Sequence, residues 1–112
     1  MDSANTVRET LRDFLQSWFE QRDPERTSGF LSENVDFVGT GWDESARGKV
    51  QMREYLLQDI REIPEPFHCQ WSVIHEQEVM EGVYSLSIDL TLKNTLYSWY
   101  LRGFFILVRE EE

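Results

Sequence analysis

The most distinctive run of the chain is GTGWDESARGK, residues 39–49. Loops that bind phosphate also contain several glycines, and some of them end in Gly-Lys as this run does. A dinucleotide-binding loop would need a third glycine at position 44, where Glu44 stands. A P-loop would need four residues between its glycines and Ser or Thr after its lysine, whereas six residues separate Gly41 from Gly48 and Lys49 is followed by an apolar residue. The run therefore predicts a sharp turn from a strand into a helix, with glycines where the backbone is crowded.

The segments on either side of this turn have clear periodicities. Residues 34–40 alternate apolar and polar and predict a strand. From Gly48, apolar residues at helical spacing predict a helix that ends before Pro64, and Asp59 falls within its apolar face. A carboxylate in such a position is unusual for a helix that packs on a core.

Two helices are predicted upstream of the turn. The first covers Thr6 to Gln21, where apolar residues recur at helical spacing and Thr6 with Glu9 matches a capping box. The second begins at Asp23-Pro24, with Asp as the N-cap and Pro in the first position, and runs toward Leu31.

Three strands are predicted downstream, at residues 67–79, 83–92 and 97–109, with turns at Glu81-Gly82 and at residues 93–95. The last strand is apolar on both faces, which predicts a central place in the sheet. Helices followed by antiparallel strands indicate an α+β domain with its helices on one face of a curved sheet.

Bulk properties restrict the possible functions. The 112 residues suit a single domain, residues 1–112, and 40% apolar residues can fill its core. A net charge of -10 argues against nucleic acid and anionic membranes as partners. The N-terminal residues lack the features of a signal peptide, no apolar run is long enough to span a membrane, and Cys69 has no internal disulfide partner. We therefore expect a cytoplasmic protein.

The run from Leu31 to Lys49, LSENVDFVGTGWDESARGK, together with Tyr55-Leu56-Leu57 and Asp59 in the next helix, resembles the NTF2-like superfamily and most closely its SnoaL-like branch. The resemblance implies a cone-shaped α+β fold in which a curved, mostly antiparallel sheet wraps around the N-terminal helices and the third helix. It also implies homodimers and a ligand pocket. The GTG-x-DE form is similar to domains that precede signalling modules in bacterial sensor proteins, which favours sensing over turnover.

The sequence departs from this family in two ways. Such domains close with a further strand, whereas this sequence ends soon after its third long strand, so we expect either a fragment or an open sheet edge. In the isomerase members, the catalytic Asp lies nine residues before the loop glycine, and that position here is Gly39. Their oxyanion-donating Tyr comes from the first helix, and residues 7–19 contain no Tyr. Isomerase chemistry of that type is therefore not expected.

Asp59 could be a base with a raised pKa, or it could accept hydrogen bonds or pair with an Arg, and we favour the second interpretation. His68 and His75 are seven apart on one predicted strand and should face opposite ways unless a bulge intervenes, so no metal site is predicted. Cys69 is expected to be a buried small apolar residue. No cofactor is expected.

Aromatic residues are the strongest functional feature, and a pocket lined by aromatic and a few polar groups is a common type of ligand site. The predicted ligand-binding residues are Phe14, Trp18, Phe37, Thr40, Tyr55, Asp59, Trp71, Trp99 and Arg102. Arg102 could instead neutralise Asp36, Asp59 or Asp89, and Trp42 in the turn could cap the pocket mouth or contact a partner. Three functions stay open: a noncatalytic small-molecule-binding or sensory domain, an enzyme acting on a small hydrophobic carbonyl compound, and a dimerisation module with a filled pocket.

Overall fold

The computed structural model describes residues 3–41 and 43–110, with side chains from residue 6 onward; Trp42 lies outside this range. The elements in chain order are α1 (Ser3–Leu15), a π-helical turn (Gln16–Glu20), α2 (Pro24–Ser28), β1 (Asp36–Val38), β2 (Ser45–Arg47), α3 (Gly48–Glu62), β3 (His68–Met80), β4 (Val83–Lys93) and β5 (Ser98–Val108). The predicted α+β class is confirmed. Among the helices described, none is long and apolar enough to cross a membrane.

The chain divides into two compact units, residues 12–66 and residues 1–11 with 67–112. The first unit has a core of Trp18, Ala46, Met52 and Leu56, against which half-buried apolar side chains pack. The predicted start of α2 is confirmed: the Asp23 carboxylate accepts a hydrogen bond from the backbone N–H of Arg26 at 3.0 Å. Such a cap satisfies a donor that has no partner within the helix.

Two local predictions for the first half of the chain need correction. α1 already includes Ser3, so Thr6 lies inside the helix and does not form the predicted capping box; its carbonyl accepts a hydrogen bond from the hydroxyl of Thr10. The second half of the predicted loop is a short strand: β2 pairs with β1 in antiparallel register, with Phe37 opposite Ala46. Three-residue strands are too short to produce a readable alternation, so the sequence signal was weak.

The second unit contains an antiparallel sheet in the order β3-β4-β5. One face of β4 is almost entirely inaccessible and carries Tyr84, Leu86, Ile88, Leu90 and Leu92. We call this the inner face of the sheet and the opposite side the outer face. β5 was predicted to be central, but β4 takes that place; the apolar residues on both faces of β5 reflect an exposed outer face, not a central position.

β3 contains a β-bulge at Ile74. Its register shifts between Val73 and His75, so that one residue has no position opposite it on β4. Because side chains alternate along a strand, the extra residue reverses which way residues 75–78 face, as far as a second register shift between Glu78 and Met80. Glu76 and Glu78 therefore lie on the inner face, opposite residues of β4 that are buried.

The same bulge corrects the prediction for the two histidines. His68 lies opposite Lys93 and His75 lies opposite Ser87, so both histidines face the outer side. Their partners are six residues apart on β4, which is about 20 Å along a strand. The histidines share a face but are too far apart to bind the same metal ion.

Candidate functional site

The aromatic cluster of the first unit is centred on Trp18. The Trp18 ring lies 5.8 Å from Phe14, 5.8 Å from Phe37 and 6.4 Å from Tyr55, in edge-to-face arrangements, and Phe37 and Tyr55 are 4.8 Å apart. Trp18 is buried, whereas the other three rings are half-buried. Four predicted ligand-binding residues are thus brought together, and edge-to-face contacts hold their rings in fixed orientations.

The π-helical turn positions Trp18. The wider turn is closed by a hydrogen bond from the N–H of Gln21 to the carbonyl of Gln16, five residues earlier. Trp18 stacks on its neighbour Phe19 at 4.5 Å with an interplanar angle of 14°. Side chains of consecutive residues do not face each other on a regular α-helix. The stacking of Trp18 on Phe19 is therefore a consequence of the π-helical turn. π-helical turns are frequent at functional sites.

Asp59 links this cluster to α3. Its Oδ2 accepts hydrogen bonds from the indole Nε1 of Trp18 at 2.9 Å and from Nη2 of Arg22 at 3.1 Å. The predicted alternative in which Asp59 pairs with an arginine corresponds to this geometry. An oxygen engaged by two donors is poorly placed to remove a proton from a substrate.

Arg22 connects the C-terminal ends of two helical segments. Its guanidinium donates to the carbonyl oxygens of Trp18, Asp59 and Ile63 at 3.0–3.1 Å, in addition to the Asp59 carboxylate. Carbonyls at a helix C-terminus lack partners within the helix and carry partial negative charge, which a cation satisfies. The side chain is only 4% exposed, so these bonds compensate for a charge removed from water. Arg22 also has a positive φ of 51°, an uncommon backbone conformation that the same bonds hold in place.

Tyr55 lies in an environment that disfavours its ionised form. Burial is the main cause, and the nearby carboxylates of Glu44, Asp59, Asp43 and Glu62 add to it, so the pKa of Tyr55 is raised well above its ordinary value of 10.0. The hydroxyl therefore stays protonated at any physiological pH. A phenol of this kind can donate a hydrogen bond to a carbonyl oxygen.

In the loop that begins with Gly39, the side-chain carboxylate of Glu44 binds to the backbone of the same loop. The carboxylate Oε2 of Glu44 accepts hydrogen bonds from the backbone N–H groups of Thr40 and Gly41, both at 2.9 Å. Consecutive backbone N–H groups are the usual means by which such loops bind an anion. In this chain the side chain of Glu44 takes that role, so the loop is a closed turn, as predicted, and Thr40 is exposed in it.

The glycines make room for Glu44. A Cβ at Gly39 would lie 2.6 Å from the Glu44 Oε2 and 2.7 Å from its Cβ, closer than real Cβ atoms come, and a Cβ at Gly41 would lie 3.1 Å from Cδ. The close approach of a side chain therefore explains why this loop carries two glycines.

The remaining predicted ligand-binding residues belong to the sheet of the second unit. Trp71 is half-buried on the inner face opposite Leu90, and Trp99 is half-buried with its ring 5.4 Å from that of Phe67. Arg102 lies on the other side: alternation along β5 places it on the outer face, away from Trp99. Its Nε donates to Oδ1 of Asp89 at 3.1 Å, so Arg102 is not brought together with the aromatic residues of the inner face.

Two other features are a surface depression on α3 and the single cysteine. A shallow surface depression on α3 is bounded by five side chains that include none of the predicted site residues: Glu54, Leu57, Gln58, Arg61 and Glu62. Cys69 is half-buried on the inner face of β3. In the part of the chain that the structure describes, no group of three or more His, Cys, Asp or Glu is arranged to hold a metal ion.

Sequence reasoning missed the two residues that organise the site. Arg22 follows an amphipathic helix and looks like an ordinary surface residue, and only its contact with residues 37 and 41 positions later reveals its role. In the sequence, Glu44 stands out only as the residue in the place of a third glycine. Its hydrogen bonds to the backbone of Thr40 and Gly41 follow from the folded shape of the turn.

Substitution of Arg22 tests the helix-end connection. We expect Arg22→Met to lower the free energy of unfolding by about 2–4 kcal/mol, because it leaves the Asp59 carboxylate and several helix-end carbonyls without their donor. The matched control is Arg12→Met, which removes an exposed pair with Asp13 and should change stability by less than about 0.5 kcal/mol. Urea denaturation measures both, and equal effects would contradict this role for Arg22.

A double-mutant cycle tests the fit between Gly39 and Glu44. Gly39→Ala should destabilise the protein by about 1–3 kcal/mol, because the new methyl group displaces the Glu44 side chain. In a Glu44→Gly background, which removes the Cβ of residue 44 as well as its carboxylate, the same substitution should cost much less, with a coupling energy of at least about 0.5 kcal/mol. Additive effects in thermal or urea unfolding would show that the glycine is needed for another reason.

Stability at high pH tests the environment of Tyr55. A raised pKa in the folded state means that only the unfolded chain ionises this group above its ordinary value, so stability is fully present below pH 10.0 and lost as the pH rises beyond it. Relative to Tyr55→Phe, the protein should lose up to about 1.4 kcal/mol per pH unit in this range. Urea denaturation at a series of pH values measures the difference, and parallel profiles of the two proteins would refute the assignment.

Comparison with known proteins places this geometry in a fold family. No family model matches the sequence, and a comparison with curated proteins finds no match. Solved structures do match. An NTF-2 like protein of unknown function from Shewanella oneidensis has a TM-score of 0.78 at 10% identity, over 98% of this chain and 90% of that one.

Two further solved structures have a backbone fold similar to that of this chain. A domain of unknown function with a cystatin-like fold from Nostoc punctiforme has a TM-score of 0.76 at 14% identity, over 100% of this chain and 72% of that one. A putative scytalone dehydratase from Novosphingobium aromaticivorans has a TM-score of 0.77 at 15% identity, over 96% of this chain and 74% of that one. The predicted resemblance is thereby confirmed at the level of the fold: this chain has the NTF2-like, or cystatin-like, α+β fold.

Proposed function

We propose that residues 1–112 form one noncatalytic domain of the SnoaL-like branch that binds a small hydrophobic molecule, as a cytoplasmic homodimer with a sensory role. The observation that carries the proposal is the ring cluster around Trp18. Phe14, Phe37 and Tyr55 are large aromatic residues that stay half-buried although they pack against a buried core. Half-buried rings in fixed orientations suit the wall of a ligand site.

Polar groups beside the rings would orient such a ligand. The Tyr55 hydroxyl, which its surroundings keep protonated, can donate to a carbonyl or ether oxygen. Asp59 fixes the Trp18 ring by accepting a hydrogen bond from its indole, and Arg22 in turn fixes the Asp59 carboxylate. The aromatic wall is therefore preorganised, and the binding of a ligand would cost little free energy for ordering these side chains. A site with a rigid apolar wall and one directed donor favours a flat, weakly polar molecule over an ion.

Two positions at which a catalytic base was considered support binding over turnover. The position of the isomerase Asp is Gly39, which here is packed against Glu44. Asp59 is ion-paired with Arg22 at 3.1 Å through the same oxygen that accepts from the Trp18 indole. General acid–base catalysis needs a group that is free to exchange a proton with the substrate, which Gly39 cannot supply and for which the Oδ2 of Asp59 is poorly placed.

The homodimer is supported by β5, whose outer face carries several exposed apolar side chains. Contiguous exposed apolar surface commonly marks an interaction site. The cytoplasmic location is supported by a single cysteine, Cys69, which has no internal disulfide partner.

Native mass spectrometry of the purified protein is the direct test of ligand binding. We expect a dimer that retains a small molecule, or that binds members of a panel of aromatic ketones and phenols with a rise in melting temperature. Tyr55→Phe should weaken the best binder about 5- to 30-fold, the usual range for one buried hydrogen bond. Tyr100→Phe, which removes the same hydroxyl from an exposed position on the outer face, is the control and should leave binding unchanged.

Two other outcomes correspond to the alternative functions. Tyr55 as a permanent donor also suits an enzyme acting on a small hydrophobic carbonyl compound, and a bell-shaped pH–rate profile that is lost in Asp59→Asn would favour it. The burial of Trp18 by its neighbouring rings suits a dimerisation module with a filled pocket. An empty dimer without any ligand-induced shift in melting temperature would favour that function and contradict the binding proposal.

A further inference from the structure

Two carboxylates lie beside the ring cluster around Trp18. Asp59 accepts a hydrogen bond from the Trp18 indole at 2.9 Å. A Cβ at Gly39 would lie 2.6 Å from Oε2 of Glu44 and 3.2 Å from Cζ of Phe37, so the Glu44 carboxylate and the tip of the Phe37 ring approach the same side of the Gly39 backbone. Negative charge therefore adjoins two rings of the cluster.

Tyr55 is surrounded by more carboxylates than these two. Burial is the main reason why the pKa of its hydroxyl is raised, and the coulombic effect of four nearby carboxylates adds to it. Two of the four belong to the loop after Gly39 and two belong to α3: Glu44 and Asp43, and Asp59 and Glu62. The carboxylates that disfavour a phenolate at this point favour a cation there.

Cations of the chain neutralise only part of this charge. Among the described residues, one of the four carboxylates forms an ion pair, Asp59 with Arg22, and the other three form none. Arg47 on β2 and Arg53 on α3 pair with other carboxylates. Arg61 borders the surface depression on α3, which includes none of the ring residues. The ring cluster therefore keeps a surplus of negative charge.

The rings and this charge favour the same kind of ligand. Aromatic faces attract a cation that lies within about 6 Å of the ring centroid. Phe37 and Tyr55 are half-buried, so part of each ring is accessible. A cation whose charge is delocalised over a flat ring system is less strongly hydrated than a compact ammonium group, as guanidinium is, and it packs well on an apolar wall. An anion would be repelled by the same carboxylates.

The Tyr55 hydroxyl provides a polar contact for such a ligand. Within the described residues this hydroxyl forms no hydrogen bond. Its oxygen can accept a hydrogen bond as well as donate one, because the group stays protonated. A ligand that carries an N–H group can therefore donate to the Tyr55 oxygen, whereas a ketone has neither a donor nor a charge for the carboxylates to stabilise.

We propose that the ring cluster binds a flat heteroaromatic nitrogen base and that the base takes up one proton from water when it binds. The protonated ring packs against Phe37 and Tyr55, and its N–H donates to the Tyr55 oxygen. This rests on the ligand site proposed above and names the class of its ligand. Such a base is flat and weakly polar in its neutral form, and the carboxylates raise the pKa of the bound base because they stabilise the cation.

Two ligands of equal shape test the proposal. Isoquinoline carries one basic ring nitrogen, and naphthalene is its isostere without one. Because a base whose pKa rises on binding takes up a proton, the affinity for isoquinoline should rise at least about threefold as the pH falls from about 8 to about 6, whereas the affinity for naphthalene should stay constant. NMR titration measures both. Naphthalene also corrects for the titration of His68 and His75, which lie on the outer face of the sheet.

Substitution of Glu44 tests the source of the pH dependence. Glu44→Gln removes the charge and leaves an amide oxygen for the backbone N–H groups of Thr40 and Gly41. At pH about 6 it should weaken the binding of isoquinoline about 3- to 10-fold and change that of naphthalene by less than about twofold. The control Glu81→Gln changes the net charge equally from an exposed position between β3 and β4, and it should affect neither ligand.

The outcomes separate this proposal from the proposed function. Equal affinities for the two ligands without pH dependence, or binding of ketones and phenols but not of isoquinoline, overturn the nitrogen base and leave the ligand site standing. Binding of none of these molecules overturns both. If Glu44→Gln disturbs the loop, both ligands weaken together, and the pH profile of the unmodified chain then decides. Equal effects of Glu44→Gln and Glu81→Gln on isoquinoline would contradict the role of Glu44.

Discussion

A guanidinium that has been removed from water must be surrounded by hydrogen-bond acceptors. Arg22 meets this constraint by donating to carbonyl oxygens at the C-terminal ends of two helical segments. Its donors reach the carbonyls of Trp18, Asp59 and Ile63 and the Asp59 carboxylate. The cost of leaving any of them unpaired is large, so the distance between the π-helical turn and the end of α3 is closely fixed. The positions of the Trp18 and Tyr55 rings depend on that distance, because Trp18 lies in the π-helical turn and Tyr55 lies in α3.

The contact between Arg22 and Asp59 also bears on function. The Oδ2 of Asp59 accepts hydrogen bonds from Arg22 and from the Trp18 indole, so this carboxylate supports the aromatic cluster. The loop at Gly39 is arranged in a similar way, since Glu44 fills the anion-binding backbone of its own turn. In both places a charged group is paired within the chain, and what stays available to a ligand is aromatic surface with the Tyr55 hydroxyl.

The sheet of the second unit shows how one inserted residue redistributes charge. The bulge at Ile74 moves two carboxylates to the inner face and brings His75 to the outer face. A bulge bends and twists its strand and interrupts regular alternation. In an acidic chain, the result is one face with apolar residues, a single ion pair and little net charge.

The sequence by itself determined the fold class, the order of the long elements and the fold family. These follow from hydrophobic periodicity, from Asp-Pro and Glu-Gly signals and from the run around residues 39–49, all of which are local in the chain. It also placed Phe14, Trp18, Phe37 and Tyr55 in one predicted pocket, but together with Trp71, Trp99 and Arg102, which lie in the sheet of the second unit.

Only the tertiary structure decided the roles of Arg22, Glu44 and Arg102, the short strand β2 and the facing of both histidines. Arg22 acts through residues 37 and 41 positions away, which no local pattern records. Arg102 and Asp89 meet because of strand register, and the histidines share a face because of a bulge. Long-range pairing and register are set by the free energy of the whole packed arrangement, and a shift of one residue reverses every side chain beyond it.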